Sequence, residues 1–169
     1  MGEVAAEAET LLVLEDFLPY RLAVLAHQTS RELADVYGER FGLSIPEWRI
    51  LANLGRFGPL YAGELAERSS MDKPKVTRAL QRLEGSGLVH RTIDAQDRRQ
   101  VRLALTRRGR ALFRDIAALA LDWEAQFLAP LSDAERKTLH RVLTRLMRGG
   151  EDRRHRSASA RAARNAEAP

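Results

Sequence analysis

Cysteine is absent from the 169 residues. Disulfides, thiol nucleophiles, cysteine-based redox switches and zinc–thiolate sites are thereby excluded. No apolar run approaches the roughly 20 residues that a membrane-spanning helix needs. The start, Met1-Gly-Glu-Val-Ala-Ala-Glu-Ala-Glu, is acidic where a secretory signal begins basic. A soluble, cytoplasmic protein with no membrane partner is expected. There is also no Gly-rich phosphate loop and no Ser/His/Asp constellation, and the carboxylates are scattered along amphipathic patterns. Neither an enzyme nor a cofactor is expected. His27, His90, His140 and His155 lack grouped ligand spacing, which argues against a metal site.

What is present is ordinary in amount and uneven in placement. Charged residues make up 30% and hydrophobic ones 44%, as in soluble domains that bury a core. The charge is focused, however. From Asp72 to Arg110 eleven lysines and arginines face four acids, a net of +7, whereas the whole chain carries +5. A focused basic face is the electrostatic footprint of a polyanionic partner.

That window overlaps the most patterned part of the chain, Leu60 to Thr106. Two short helical patterns, Ala62 to Glu67 and Lys73 to Leu83, flank the polar break Arg68-Ser69-Ser70. Gly85-Ser86-Gly87 ends the second helix. Leu88 to Arg91 and Val101 to Leu105 then alternate as strands around a hydrophilic loop, Asp94 to Gln100. Helix, turn, helix and a hairpin with a charged tip is the plan of a winged helix-turn-helix, which sets its second helix in the major groove of DNA. In that helix Val76, Leu80 and Leu83 form the buried face, and Lys73, Lys75, Thr77, Arg78, Gln81 and Arg82 are presented outward. Such side chains bond base edges and phosphates. Ser70 and Asp72 are both candidates for its N-cap. Arg98 and Arg99 stand at the hairpin tip, where the negative potential of a minor groove attracts arginine.

The remaining chain reads as helices. Residues 1–9 form a flexible start, and residues 10–42 a long helix capped by Thr10. Its apolar positions cover more than one face, and Pro19 kinks it or delays its start. Residues 43–106 hold the DNA-binding domain, opened by the capping box Ser44 to Glu47, with Trp48, Leu51, Ala52 and Leu54 facing a core. Residues 107–148 carry two more helices, the first to about Phe127, the second capped by Ser132 with Glu135. Two-faced helices at both ends of the chain are expected to form a homodimer interface. Residues 149–169, rich in Arg, Ala and Ser, are expected to form a disordered, mildly basic tail. The fold class is mainly α with a small β-wing.

From Thr10 to Met147 the order of elements resembles the MarR family of bacterial transcriptional regulators. The specific pieces are Val76-Thr77-Arg78, Leu83-Glu84-x-x-Gly87-Leu88-Val89-x-Arg91, Asp97-Arg98-Arg99 and Leu105-Thr106-x-x-Gly109. The resemblance implies a homodimer that binds double-stranded DNA at a pseudo-palindrome, often as a repressor, and releases it when a small-molecule effector binds. It makes Lys73, Lys75, Thr77, Arg78 and Arg82 contacts to the major groove or phosphates, and Arg98 and Arg99 contacts to the minor groove. It also implies an effector site lined by His27, Ser30, Arg31, Trp48 and Arg49, suited to an aromatic carboxylate or aromatic acyl-coenzyme A thioester. The competing expectation is a nonspecific architectural DNA-binding protein that uses the same basic face plus the tail.

Overall fold

The computed structural model describes residues 12–93 and 100–166, with side chains as far as residue 150. The chain divides into two compact units, Met1–Trp123 and Glu124–Pro169. The boundary falls inside a helix.

In the first unit, α1 spans Leu18–Phe41. Thr10, the expected cap, lies outside the described residues. The helix starts late because Pro19, which has no N–H to donate, occupies its first turn, the one place where that loss costs nothing. Gly42 ends α1 in the left-handed region, φ 66°, with its N–H returned to the Gly38 carbonyl at 2.8 Å. Next, α2 covers Ile45–Phe57. The Ser44 N–H and Oγ both donate to Oε2 of Glu47, at 2.7 and 2.6 Å, so the capping box forms.

The winged domain follows as β1 (Leu60–Tyr61), α3 (Ala62–Ser69), α4 (Lys73–Gly85), β2 (Val89–Ile93) and β3 (Val101–Leu105). The three strands form an antiparallel sheet ordered β1-β3-β2, with Leu60 opposite Leu103 and Arg91 opposite Leu103 on the other side. The sequence does not announce β1, because two residues are too few to show an alternating period. One core joins these elements. Ile50, Leu51 and Leu54 of α2, Leu65 of α3, Val76, Leu80 and Leu83 of α4, and Leu103 and Leu105 of β3 are all buried. Tyr37 from α1 and Ile116 from α5 (Arg107–Phe127) complete it, with Leu112 and Phe113 packed alongside. This explains why the first unit runs on to Trp123: the first half of α5 is part of the winged core.

In the second unit, α6 spans Asp133–Ala166. Ser132 and Glu135 form the expected capping box, the Ser132 N–H donating to Glu135 at 2.8 Å. The helix passes through the segment that composition assigned to a disordered tail. Alanine and arginine are among the strongest helix formers, and 149–169 contains six alanines and five arginines but no proline before Pro169. Low apolar content argued against a packed core there, yet it does not forbid a helix.

Candidate nucleic-acid interface

The helix-turn-helix owes its shape to two local devices. Ser70 closes α3 in the left-handed region, φ 53°. Asp72, not Ser70, caps α4: its carboxylate accepts the Lys75 N–H at 2.8 Å and pairs with Lys75 Nζ at 3.2 Å. Pro74 sits harmlessly in the first turn. The carboxyl of Asp72 is held below its ordinary range, chiefly by the backbone hydrogen bond from Lys75, with further help from the Lys75 and Arg78 charges. A depressed folded value means that the cap stabilises α4 above the unfolded carboxyl's pKa and is lost as pH falls through the folded one. Protection of the Lys75 amide against hydrogen exchange is therefore expected to drop below about pH 4. In Asp72→Ala it should be low at every pH; a variant that kept wild-type protection at neutral pH would show that the cap is idle.

Helix α4 presents two opposite faces. Val76, Ala79, Leu80 and Leu83 are buried, while Lys73, Lys75, Thr77, Arg78, Gln81 and Arg82 are exposed. The Thr77 hydroxyl donates to the Lys73 carbonyl at 2.9 Å, which leaves its methyl group and remaining lone pair for an outside partner. Lys75, Arg78 and Arg82 share a cavity of about 360 Å³ with Ser44, Pro46 and Glu47 at the start of α2. Arg82 faces Oε1 of Glu47 at 3.8 Å, its side chain 74% exposed and that of Glu47 only 7%. The sequence marks Glu47 as a capping residue; its second task, tethering α4 to α2 through Arg82, depends on a long-range approach that spacing does not show.

Several cations in the basic window also hold the fold together. Arg91 pairs with Glu84, Arg108 donates to the Ser86 carbonyl at 3.3 Å, and Arg110 to the Leu105 carbonyl at 2.6 Å. Arg102 donates to the Tyr61 hydroxyl at 3.1 Å and lies over its ring. These side chains fasten the wing's base to its neighbours. The tip with Asp97, Arg98 and Arg99 lies outside the described residues.

Of the five residues expected to line an effector site, the structure joins two directly: Arg49 donates to Ser30 Oγ at 3.3 Å, and also to the Ser69 carbonyl at 3.4 Å. Trp48, partly buried, stands in an aromatic row, 5.6 Å from Tyr37 and 6.3 Å from Phe113 between ring centroids. Burial pushes the Tyr37 hydroxyl up to about 12, with the Arg49 charge working against it and that of Glu47 adding to it. His27 and Arg31 are exposed on α1.

Comparison with known proteins now decides the family. The MarR family profile matches residues 43–101. An HTH-type transcriptional repressor of Mycobacterium tuberculosis, Rv2887, is 31% identical over 131 residues, which cover 77% of this chain and 91% of that repressor. The chain belongs to the MarR family. The crystal structure of a MarR family transcriptional regulator from Silicibacter pomeroyi matches with a TM-score of 0.73 at 30% identity, covering 82% of this chain and 93% of that one. The structure of NadR in complex with 4-hydroxyphenylacetate shares the fold, with a TM-score of 0.69 at 24% identity over 80% of this chain and 96% of that one. As a MarR protein the chain is a DNA-binding transcriptional regulator built on a winged helix-turn-helix. Among the described residues no helix is long and apolar enough to cross a membrane.

Proposed function

We propose that this MarR regulator is a homodimeric repressor that leaves a palindromic operator when a small aromatic carboxylate, or the coenzyme A thioester of one, binds. The observation that carries the reading is the outward row Lys73, Lys75, Thr77 and Arg78 on a helix anchored by its opposite face. Arg82 adds charge near the end of the row, and Arg98 and Arg99 of the wing tip supply minor-groove contacts. Dimerisation is supported by exposed apolar side chains at both ends of the chain, among them Phe17, Leu22 and Leu25 in the first unit and Leu139, Val142 and Leu146 in the second. A monomer has no use for so many. Two copies place two recognition helices on half-sites about one helical turn apart.

Footprinting of the full-length protein on DNA flanking its own gene, at near-physiological salt, tests the reading. A compact protected palindrome is expected. Diffuse protection that disappears with modest salt would instead mean nonspecific, architectural binding.

The effector reading rests on the Arg49 guanidinium, which bridges Ser30 of α1 to the end of α3 and can bind a carboxylate in a paired geometry. NadR, which shares the fold, was crystallised with an aromatic acid, 4-hydroxyphenylacetate. Arg49→Ala is expected to abolish release of operator DNA by such acids and to leave DNA affinity in their absence near normal. Release at the same acid concentration as in the wild type would sink the assignment.

A further inference from the structure

A second cavity lies at the other end of α4, away from Ser30 and Arg49. It has a volume of about 480 Å³ and is enclosed by the end of α1, the α1–α2 turn, the end of α4 and the first turns of α5. Phe41, Leu43, Leu83 and Leu112 give it apolar walls. Three guanidinium groups, those of Arg40, Arg82 and Arg108, share it with the carboxylates of Glu47 and Asp115.

Of these charges only Arg82 and Glu47 lie in ion-pair range among the described residues. Among the described residues, neither Arg40 nor Arg108 has a carboxylate in ion-pair range, and nor does Asp115 have a cation. Arg40 lies over the Phe41 ring at 5.2 Å, and Arg108 uses one nitrogen on the Ser86 carbonyl. Glu47 is committed through Oε2 to the Ser44 cap. Its other oxygen faces Arg82 at 3.8 Å, within ion-pair range but longer than a hydrogen bond, and the Arg82 side chain is 74% exposed. With three guanidinium groups and two carboxylates in its lining, the cavity carries one net positive charge beside its apolar walls, which favours an anionic ligand. The planar guanidinium fork matches phosphate oxygens in pairs.

We propose that this cavity binds the phosphate monoester of a small, partly apolar molecule. Arg40, Arg82 and Arg108 hold the dianion, the apolar walls take the organic body, and Asp115 accepts a hydrogen bond from a hydroxyl or amine on that body. Arg82 also lines the cavity that contains Lys75 and Arg78. An anion that draws Arg82 away from Glu47 therefore loosens the tether between α2 and α4 and changes the charge the recognition helix offers to DNA.

Calorimetric titration of the full-length protein with phenyl phosphate tests this, with inorganic phosphate as the probe lacking an apolar body. Saturable binding of phenyl phosphate is expected, with inorganic phosphate weaker. Arg40→Ala and Arg108→Ala should each weaken binding at least about tenfold, the scale of one charge-assisted contact. Asp115→Asn should tighten it, since phenyl phosphate offers no donor and loses a repulsion; misfolding cannot imitate that gain. Arg49→Ala should change nothing, which separates this cavity from the effector site proposed above. No binding at up to about 10 mM phenyl phosphate, equal binding of both probes, or loss through Arg49→Ala with Arg40→Ala intact would each overturn the proposal. At saturation phenyl phosphate should lower affinity for the footprinted DNA by about fivefold or more. Unchanged affinity would overturn the coupling through Arg82.

Discussion

Gly109→Ala is expected to destabilise the protein by about 3 kcal/mol, at the upper end of what overpacking costs, and so to lower its melting temperature by roughly 6–12 °C. A Cβ at Gly109 would stand 2.0 Å from the Leu88 carbonyl oxygen, 3.0 Å from its carbon and 3.4 Å from the Leu105 Cβ. The first two are backbone atoms and cannot swing aside. The Leu88 carbonyl is also pinned, because it accepts the Thr106 N–H at 3.0 Å and the Thr106 hydroxyl at 3.3 Å. The same hydroxyl accepts the Gly109 N–H at 3.0 Å. Thr106 and Gly109 thus weld the start of α5 to the start of β2, where the winged domain meets the long helix that completes its core. Gly63→Ala serves as the control: its new Cβ meets nothing within 4 Å, and alanine should be neutral or mildly stabilising in a helix. A thermal melt in which Gly109→Ala and Gly63→Ala behave alike would show that the close approach is not real in solution.

The pair Thr106–Gly109 also illustrates what was legible beforehand. As a motif, Leu105-Thr106-x-x-Gly109 supports the resemblance; the reason for the glycine, a backbone carbonyl from residue 88, appears only in three dimensions. Features written in local chemistry were readable. Ser44 with Glu47, Ser132 with Glu135, and the α4 face of Val76, Leu80 and Leu83 each depend on residues within a turn or two. The choice between Ser70 and Asp72 was not settled by type, since both are good caps; Ser70 was removed from contention by its left-handed backbone at the end of α3.

Long-range roles were hidden for a common reason: one side chain satisfies two demands. Trp48, read as core-facing and also as an effector-site residue, is the middle ring of a row of three with Tyr37 and Phe113. The basic window from Asp72 to Arg110 predicts a polyanion partner by its sum, yet Arg91, Arg108 and Arg110 each hold a neighbouring carboxylate or carbonyl. Net charge locates the face without telling which cations do the binding. Burial of the opposite side of α4 makes that distinction, and it singles out the side chains that stand clear of the fold.

Arg78 is the strongest of these. Arg78→Ala is expected to weaken operator binding by about 1–3 kcal/mol per half-site, the worth of a good groove contact, and by roughly twice that for a dimer on a palindrome. Its neighbours on the buried side, Val76 and Ala79, fix the helix that carries it, so the loss should come from DNA contact and not from unfolding. Asp72 senses the Arg78 charge, but among the described residues the carboxylate–cation pair at the start of α4 is Asp72 with Lys75. Removing Arg78 therefore breaks no ion pair among the described residues, and the melting temperature should stay close to that of the wild type. Salt dependence separates the two modes of contact. If Arg78 meets phosphates, the slope of log K against log salt becomes shallower by about one per half-site, and affinity falls on all sequences alike. If it reads a base edge, the slope changes little and discrimination at one operator position relaxes. Titrations of wild type and variant against operator and scrambled DNA at several salt concentrations would tell these apart. Wild-type affinity on both DNAs at every salt would remove Arg78 from the interface altogether.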